Sequence, residues 1–595
     1  MNPRNWKYAA GPTIFVVLLA LYPQLNFWIA KGSAWQGAYF ASNFDEVAYS
    51  AYVNALMNGK PRKYDPYLAA EAPHESLYSI QFVPAYSIAL PARLLGVSAS
   101  TAFIILAVLS AAISALFIFW LLFNITANAP LSAVGVVLIC CLGTAAAFEG
   151  ELRSWIEGRV LVDYLPFLRR YQPGFAFPLF FLFCGSVWHS LGAATRSKAV
   201  LWSLLSGILF AALVYSYFFL WTAAAAWTAC VYLLFLIWHR DKLAGLLINL
   251  GSIAVLGIAA LVPYFMMLSA RSEHVDSVQL LTNTHMPELS PSMTIGVIFA
   301  VGIVILVRRG VAELRSPRTL FALAFALTPV VLFNQQVITG RSLQPVHYEI
   351  FISNYLVLTA LALLLSLIFG NAAGSGQLSK VPRALVYVAI VAALWGIVEV
   401  RGSMQRNTSL ADLHDLSIPA ARYIEKEERP AADVLSHGAV LATNTGIGDF
   451  IPTVAALRPL WSSHSSSAGG IAIAENKRLF YCWLYYTDFS ERDVADGLKA
   501  HVFEITAALF GSERALPELG QNTNPVTPQE IAAEARSYGD FAKNFSKTTA
   551  SDPPLSYVVA SVDEMPSFYN LDKWYERDAG TVTGKLKVYA VKLRP

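Results

Sequence analysis

The chain has 595 residues, 56% of them hydrophobic and only 14% charged, with a mean hydropathy of +0.49. A soluble domain carries about a quarter charged residues, so a wholly water-soluble globule is excluded. The net charge of +3 comes without any basic tract interleaved with aromatics, which gives no ground for nucleic-acid binding. Cys140, Cys141, Cys184 and Cys230 fall in apolar runs and Cys482 stands alone, so neither a disulfide framework nor a zinc site is offered.

In chain order, about eleven apolar stretches approach the ~20 residues needed to cross a bilayer. They are 11–30, 99–123, 131–148, 173–192, 199–217, 219–238, 243–268, 291–307, 319–338, 350–370 and 383–400. The first has a basic flank, but Gln24, Asn26 and Trp28 stand where a small-residue cleavage site would lie, so it reads as an anchor. Basic residues collect in alternate loops: Arg4 and Lys7, Arg196 and Lys198, Arg240 and Lys242, Arg308 to Arg318, then Lys380 and Arg383. The positive-inside rule puts those loops in the cytoplasm and the remaining loops, with the C-terminal part, outside. Residues 77–96 are apolar enough to span and would reverse this parity. Pro84 and Pro91 interrupt them, which points to an interfacial or re-entrant segment. The expected organisation is a transmembrane part over 1–400, with surface helices in an external loop at 31–98, and a soluble domain over 401–595.

The first external loop reads SNFDEVAYSAYVNALMNGKP. Ser42 or Asn43 is placed to cap a helix from Asp45, and Gly59 with Pro61 ends it. Asp45, Tyr49 and Tyr52 then share one side of a short amphipathic helix suited to the membrane surface. A carboxylate there is placed to take a proton from an acceptor hydroxyl. The alternative is that Asp45 and Glu46 merely stabilise the helix dipole.

This stretch carries a resemblance. FDE at 44–46 just after the first span, Tyr49, Gly59 and the proline-punctuated PAYSIALPARLLG at 84–96 are similar to the first extracytoplasmic loop of the GT-C superfamily. That superfamily includes the protein O-mannosyltransferases and the bacterial aminoarabinose transferases. The resemblance implies a GT-C-like polytopic α-helical membrane protein in which an acidic residue of this loop is the catalytic base. By that carry-over Asp45 is the base, Glu46 its neighbour in substrate binding, and Tyr49 a sugar or acceptor contact. It also favours a non-spanning 77–96.

Two further clusters lie on the predicted external side. Arg169 and Arg170 directly precede the fourth stretch, where basic residues are disfavoured. Guanidinium groups bind phosphate through paired hydrogen bonds, so the phosphate of a polyprenyl carrier is a natural ligand. Arg153 and Arg159 lie among Glu149, Glu151, Glu157 and Asp163 and read as ordinary ion pairs. The second cluster is NQQVITGRSLQPVHYEIF at 334–351. Polar side chains at membrane depth default to a functional reading. Arg341 and His347 suit a phosphate, while Gln344, Tyr348 and Glu349 suit a sugar, in a loop shaped by Gly340 and Pro345. Loop 269–290, with Arg271, Glu273, His274, Asp276 and His285, has no recognised ligand spacing and reads as a solvated loop.

Residues 402–595 alternate helical and strand patterns, as in a small α/β or α+β domain. Helices are expected at 418–428, 476–486, 491–510 and 528–545, and strands at 439–444, 557–561 and 585–593. TNTGIGDFIP at 443–452 is no phosphate loop and reads as a strand-to-loop connection. Arg458, Trp461 and His464 suit either a sugar surface or packing against the membrane part.

Together these features predict a glycosyltransferase that moves a sugar from a polyprenyl-phosphate donor to a glycan, lipid or protein acceptor. The expected location is a bacterial inner membrane, with the C-terminal domain in the periplasm. No cofactor is specified, and a divalent metal is left open. A transporter or flippase is the alternative, but it predicts mid-span charges and repeats that the sequence lacks. An envelope glycan ligase or polymerase of another fold shares the chemistry without accounting for the FDE helix.

Overall fold

A computed structural model of the chain describes residues 3–162, 165–369, 382–428, 438–465, 467, 469–515, 524–563 and 567–595. Asp163, Lys380 and the side chain of Arg4, all used in the charge reading, lie outside the described residues. The eleven apolar stretches are helical, as Pro3–Lys31, Ala99–Thr126, Ala129–Cys141, Ala176–Leu191, Arg196–Val214, Phe218–Trp238, Leu243–Ser269, Pro291–Arg308, Pro317–Leu332, Asn354–Phe369 and Arg383–Glu428. Several begin where a short polar side chain satisfies a free backbone N–H. Asn128 accepts from Leu131, Thr195 from Lys198 and Ser290 from Met293. The stretch expected to run to 338 ends at Leu332, and a separate turn, Gln336–Thr339, follows.

Among the described residues, nine helices are long and apolar enough to cross a membrane. Ala129–Cys141 and Ala176–Leu191, at 13 and 16 residues, are shorter. Large aliphatic side chains point outward from these helices, including Ile14, Leu18, Leu201, Ile208, Val255, Ile298 and Val391. Exposing apolar area to water costs about 25 cal/mol per Å², a cost that hydrocarbon removes. The chain is therefore a multi-pass membrane protein.

Helices Leu77–Ile80 and Phe82–Leu95 occupy the ambiguous segment. Fourteen residues at 1.5 Å each give about 21 Å, short of the ~30 Å hydrocarbon core.

The chain divides into two compact units. The first comprises Met1–Ala30, Ile104–Met266 and Asn283–Asn407 and holds most of the apolar helices. The second comprises Lys31–Phe103, Met267–Thr282 and Thr408–Pro595, so the loop after the first helix belongs with the C-terminal residues.

The second unit is built around a five-stranded sheet. Strand Ala439–Ala442 runs parallel to Leu555–Ser561, which pairs antiparallel with Leu586–Leu593. Strands Tyr575–Arg577 and Thr581–Thr583 also pair with Leu586–Leu593 and were not expected. Helix Ile473–Tyr486 contributes Leu479, Phe480, Trp483 and Leu484 to the core on one face of the sheet. The helix expected over 491–510 is two, Glu491–Lys499 and Phe503–Phe510, broken at His501 with φ +52°. TNTGIGDFIP is also corrected. The side chain of Asn444 accepts from the N–H groups of Gly446 and Ile447 and starts a helix, Thr445–Phe450, instead of a loop. His274, expected on a solvated loop, is buried with Nδ1 2.9 Å from the Ile471 carbonyl.

The charge pattern predicts sidedness. In sealed inverted vesicles, a cysteine placed at Arg196 or Arg309 reacts with a membrane-impermeant thiol reagent, and one placed at Lys585 does not. The opposite pattern would reverse the orientation.

Candidate functional site

In the second unit, helix Asp45–Met57 follows the turn Gly32–Ala34 and residues 35–44. Its burial differs from the amphipathic surface helix expected. Glu46, Val47, Ala48 and Ser50 through Leu56 are all buried, because small and apolar residues face every direction. The helix packs against Phe82–Leu95 and against Thr445–Phe450 with the turn after it. Asn54 Nδ2 donates to the carbonyls of Pro452 and Val454 at 3.0 and 3.1 Å. No side chain caps the helix from position 44, but Asn43 Oδ1 accepts the Asp45 N–H at 3.0 Å.

The two adjacent carboxylates face opposite environments. Glu46 is fully buried, and its Oε2 accepts the Ser42 N–H at 3.1 Å. Its carbonyl accepts the Tyr39 hydroxyl at 2.9 Å. Asp45 is exposed at the helix N-terminus. Tyr49, one turn on, is half-buried, and Tyr52 is buried with its hydroxyl donating to the Arg62 carbonyl at 2.6 Å. The predicted stripe therefore runs from an accessible carboxylate into the interior. The position next to solvent belongs to Asp45.

Beside Asp45 lies a pair the sequence reading did not join. The ring of Phe44 packs on His464, with centroids 4.2 Å apart and the planes tilted by 31°. His464 is buried, with Nδ1 3.2 Å from Oδ1 of the fully buried Asp449. Burial works against a charge on this imidazole. The charge and hydrogen bonding of Asp449, and then the charge of Asp45, outweigh it and hold His464 above its ordinary value. Trp461, considered for a sugar surface, is instead in the core, with Nε1 donating to Asn476 at 3.0 Å.

The first unit holds the basic candidates. A 3₁₀ turn, Pro166–Leu168, delivers Arg169 and Arg170, both buried. Gly174 N–H donates to the Arg169 carbonyl at 2.9 Å, and a Cβ at Gly174 would collide with that oxygen, so the tight turn requires glycine. The Arg169 guanidinium lies 5.5 Å from the centre of the Phe351 ring. His347 packs on the same ring at 5.0 Å and on Phe219 at 4.9 Å. Arg169 and His347, far apart in sequence, thus share one aromatic neighbour.

The other members of 334–351 take separate positions. Arg341 is exposed after Gly340, whose φ of +71° makes the turn. Gln344 is buried at φ +34°, and Pro345 starts the turn that follows. The Tyr348 hydroxyl lies 3.0 Å from Thr222 Oγ1. Glu349 opens a π turn, Glu349–Ser353. Its carboxylate accepts the Ser292 N–H at 2.9 Å and the Ser292 hydroxyl at 2.7 Å, at the start of helix Pro291–Arg308.

Glu349 also lines a cavity of about 280 Å³ with Glu149, Glu157, Glu288, Ser290 and Arg153. Arg153 bridges Glu149 at 2.5 Å and Glu157 at 3.1 Å, and Arg159 pairs with Glu157 at 2.9 Å. Four carboxylates against one guanidinium disfavour an anionic occupant and suit a hydroxyl-rich one. Among the described residues, no group of three or more His, Cys, Asp or Glu side chains is arranged to hold a metal ion.

No protein-family model and no curated protein matches the chain. Among solved structures it is similar to the oligosaccharyltransferase AglB of Archaeoglobus fulgidus, in complex with an inhibitory peptide and a dolichol-phosphate. There the identity is 13% over 94% of this chain and 70% of that one, with a TM-score of 0.47. The Archaeoglobus fulgidus oligosaccharyltransferase tethered to an acceptor peptide with the NVT sequon aligns over 99% and 74%, at 13% identity and a TM-score of 0.45. ArnT from Cupriavidus metallidurans, bound to undecaprenyl phosphate, aligns over 97% and 98%, at 12% identity and a TM-score of 0.39.

The contrast between the two carboxylates is measurable. Glu46→Ala leaves the Ser42 N–H without its carboxylate and destabilises the protein by about 1–3 kcal/mol. Asp45→Asn lowers the melting temperature in detergent less than Glu46→Ala does. Equal losses from both would mean that Asp45 is also structural.

Proposed function

We propose that the chain is a GT-C-type glycosyltransferase that moves a sugar from a polyprenyl-phosphate donor to a hydroxyl acceptor outside the cytoplasm. The observation that carries the reading is the division of labour at FDE. Glu46 is committed to the fold, while Asp45 stands accessible at the N-terminus of a buried, well-held helix. A base must be held by its surroundings and yet reach its substrate, and this arrangement meets both needs.

In the proposed reaction Asp45 takes the proton of the acceptor hydroxyl as its oxygen attacks the anomeric carbon. The bond from that carbon to the phosphate oxygen breaks, and polyprenyl phosphate leaves with the bonding electrons. The configuration inverts. Arg169 or Arg170, with Arg341 and His347, stabilises the charge that develops on the departing phosphate, usually a large catalytic term. Tyr49, Gln344, Tyr348 and Glu349 are assigned to the sugar or acceptor. Of these, Glu349 has the best support, because it lines the hydroxyl-suited cavity. The proposed setting is a bacterial inner membrane, with residues 401–595 in the periplasm.

The test is transfer from a panel of radiolabelled polyprenyl-phosphate sugars in membranes carrying the protein. Wild type transfers label from at least one donor. Asp45→Asn lowers the rate about 100-fold or more at equal expression. Arg169→Gln lowers kcat/KM for the donor by about 10- to 100-fold, the loss of a charge-assisted hydrogen bond. Undiminished transfer by Asp45→Asn would remove Asp45 from the mechanism, and no transfer by wild type from any donor would overturn the reading.

A further inference from the structure

The Asp449–His464 pair is not used by the reaction as written, and its geometry is specific. Asp449 lies on helix Thr445–Phe450 and is fully buried. Its Oδ1 accepts the His464 backbone N–H at 3.0 Å and lies 3.2 Å from the same residue's Nδ1. That carboxylate oxygen therefore fixes the His464 backbone and places a carboxylate beside its ring. The ring's face is covered by Phe44, the residue that immediately precedes Asp45. Phe44 is also the residue from which helix Asp45–Met57 starts, so the packing sets the helix origin.

The surroundings limit what the imidazole can respond to. Asp449 faces it from helix Thr445–Phe450, and Asp45 acts on it from the start of helix Asp45–Met57. Tyr67 packs at 5.9 Å between ring centroids, and its hydroxyl donates to the Asp449 carbonyl at 3.2 Å. A buried carboxylate is tolerated when a partner compensates its charge, and His464 is the partner in contact with Asp449. The neighbouring stack reinforces the arrangement. Phe450 lies flat on His414 at 4.5 Å, and His414 meets Tyr39 edge-on at 5.0 Å. Tyr39 in turn donates to the Glu46 carbonyl. Residues 449 and 450 thus brace the first turn of the FDE helix from two directions.

We propose that His464, held by Asp449 and packed on Phe44, is a positioning residue that fixes the Asp45 carboxylate and is coupled to it. This rests on Asp45 being the base.

Two measurements test this. The first is the split between kcat and acceptor KM in sugar transfer by His464→Ala, which removes the ring, and by His464→Phe, which keeps a ring against Phe44. His464→Ala is expected to lower kcat about 10- to 100-fold with acceptor KM little changed, and His464→Phe to recover most of the loss. An unchanged kcat in His464→Ala, or a loss that His464→Phe does not recover, would overturn the proposal. The second needs no activity: the titration of His464, followed by NMR of histidine-labelled protein in wild type and Asp45→Asn. The His464 midpoint is expected to fall in Asp45→Asn and to fall further in Asp449→Asn. A midpoint indifferent to Asp45 would overturn the coupling even if transfer is established. If wild type transfers no sugar, the reaction reading fails by itself, and the titration still decides whether the two groups sense each other.

Discussion

Helix Asp45–Met57 has ten of its thirteen residues buried, and the arrangement around it depends on that enclosure. A helix lying free on a membrane surface would roll and slide, and its carboxylates would share whatever environment they met. Enclosure removes that freedom. The helix is gripped by Phe82–Leu95, by Thr445–Phe450 and by hydrogen bonds from Asn54 to residues 452 and 454. Because the interior takes Glu46 and the surface takes Asp45, two neighbouring residues of the same charge acquire different duties. Residues 445–454 come from sequence about 400 residues away, which gives the C-terminal part a role in shaping the first loop.

The basic candidates follow a different constraint. In a chain whose helices present aliphatic side chains outward, cations are retained where something offsets their burial. Arg169 lies over the Phe351 ring, and His347 packs on the same face-and-edge assembly with Phe219. The face of an aromatic ring adds an electrostatic attraction for a guanidinium. The carboxylate-lined cavity nearby in the same unit has the opposite character, with Arg153 already engaged by Glu149 and Glu157. In the proposed mechanism this separation matters, because a leaving phosphate and a hydroxylated ring need opposite surroundings.

The long helices were legible because apolar runs of about twenty residues have few other structures open to them, and Asn128, Thr195 and Ser290 mark their starts. The boundaries of helix 45–57 were legible from Gly59 and Pro61, and the C-terminal strands at 439 and 586 from their short apolar or alternating runs. The enclosure of helix 45–57 was not, since DEVAYSAYVNALM fits a surface helix until its partners are known. The helix in TNTGIGDFIP was hidden by its glycines, although Asn444 is a cap signal that a closer reading would have weighed. Asp449 and His464 were missed as a pair because they lie fifteen positions apart in a stretch of mixed composition. Their link to Phe44 is a contact across the whole chain, which one sequence does not reveal.

A single displacement driven by a deprotonated acceptor has a stereochemical consequence that no other part of the scheme can mimic. The most direct test is the anomeric configuration of the product, determined by NMR after transfer from a donor of known configuration. Inversion is the result this account predicts, because one attack on the anomeric carbon from the face opposite the phosphate is all the chemistry it contains. Retention would contradict it. Retention would require two displacements through a glycosyl-enzyme intermediate and would turn Asp45 from a base into a nucleophile or remove it from the reaction.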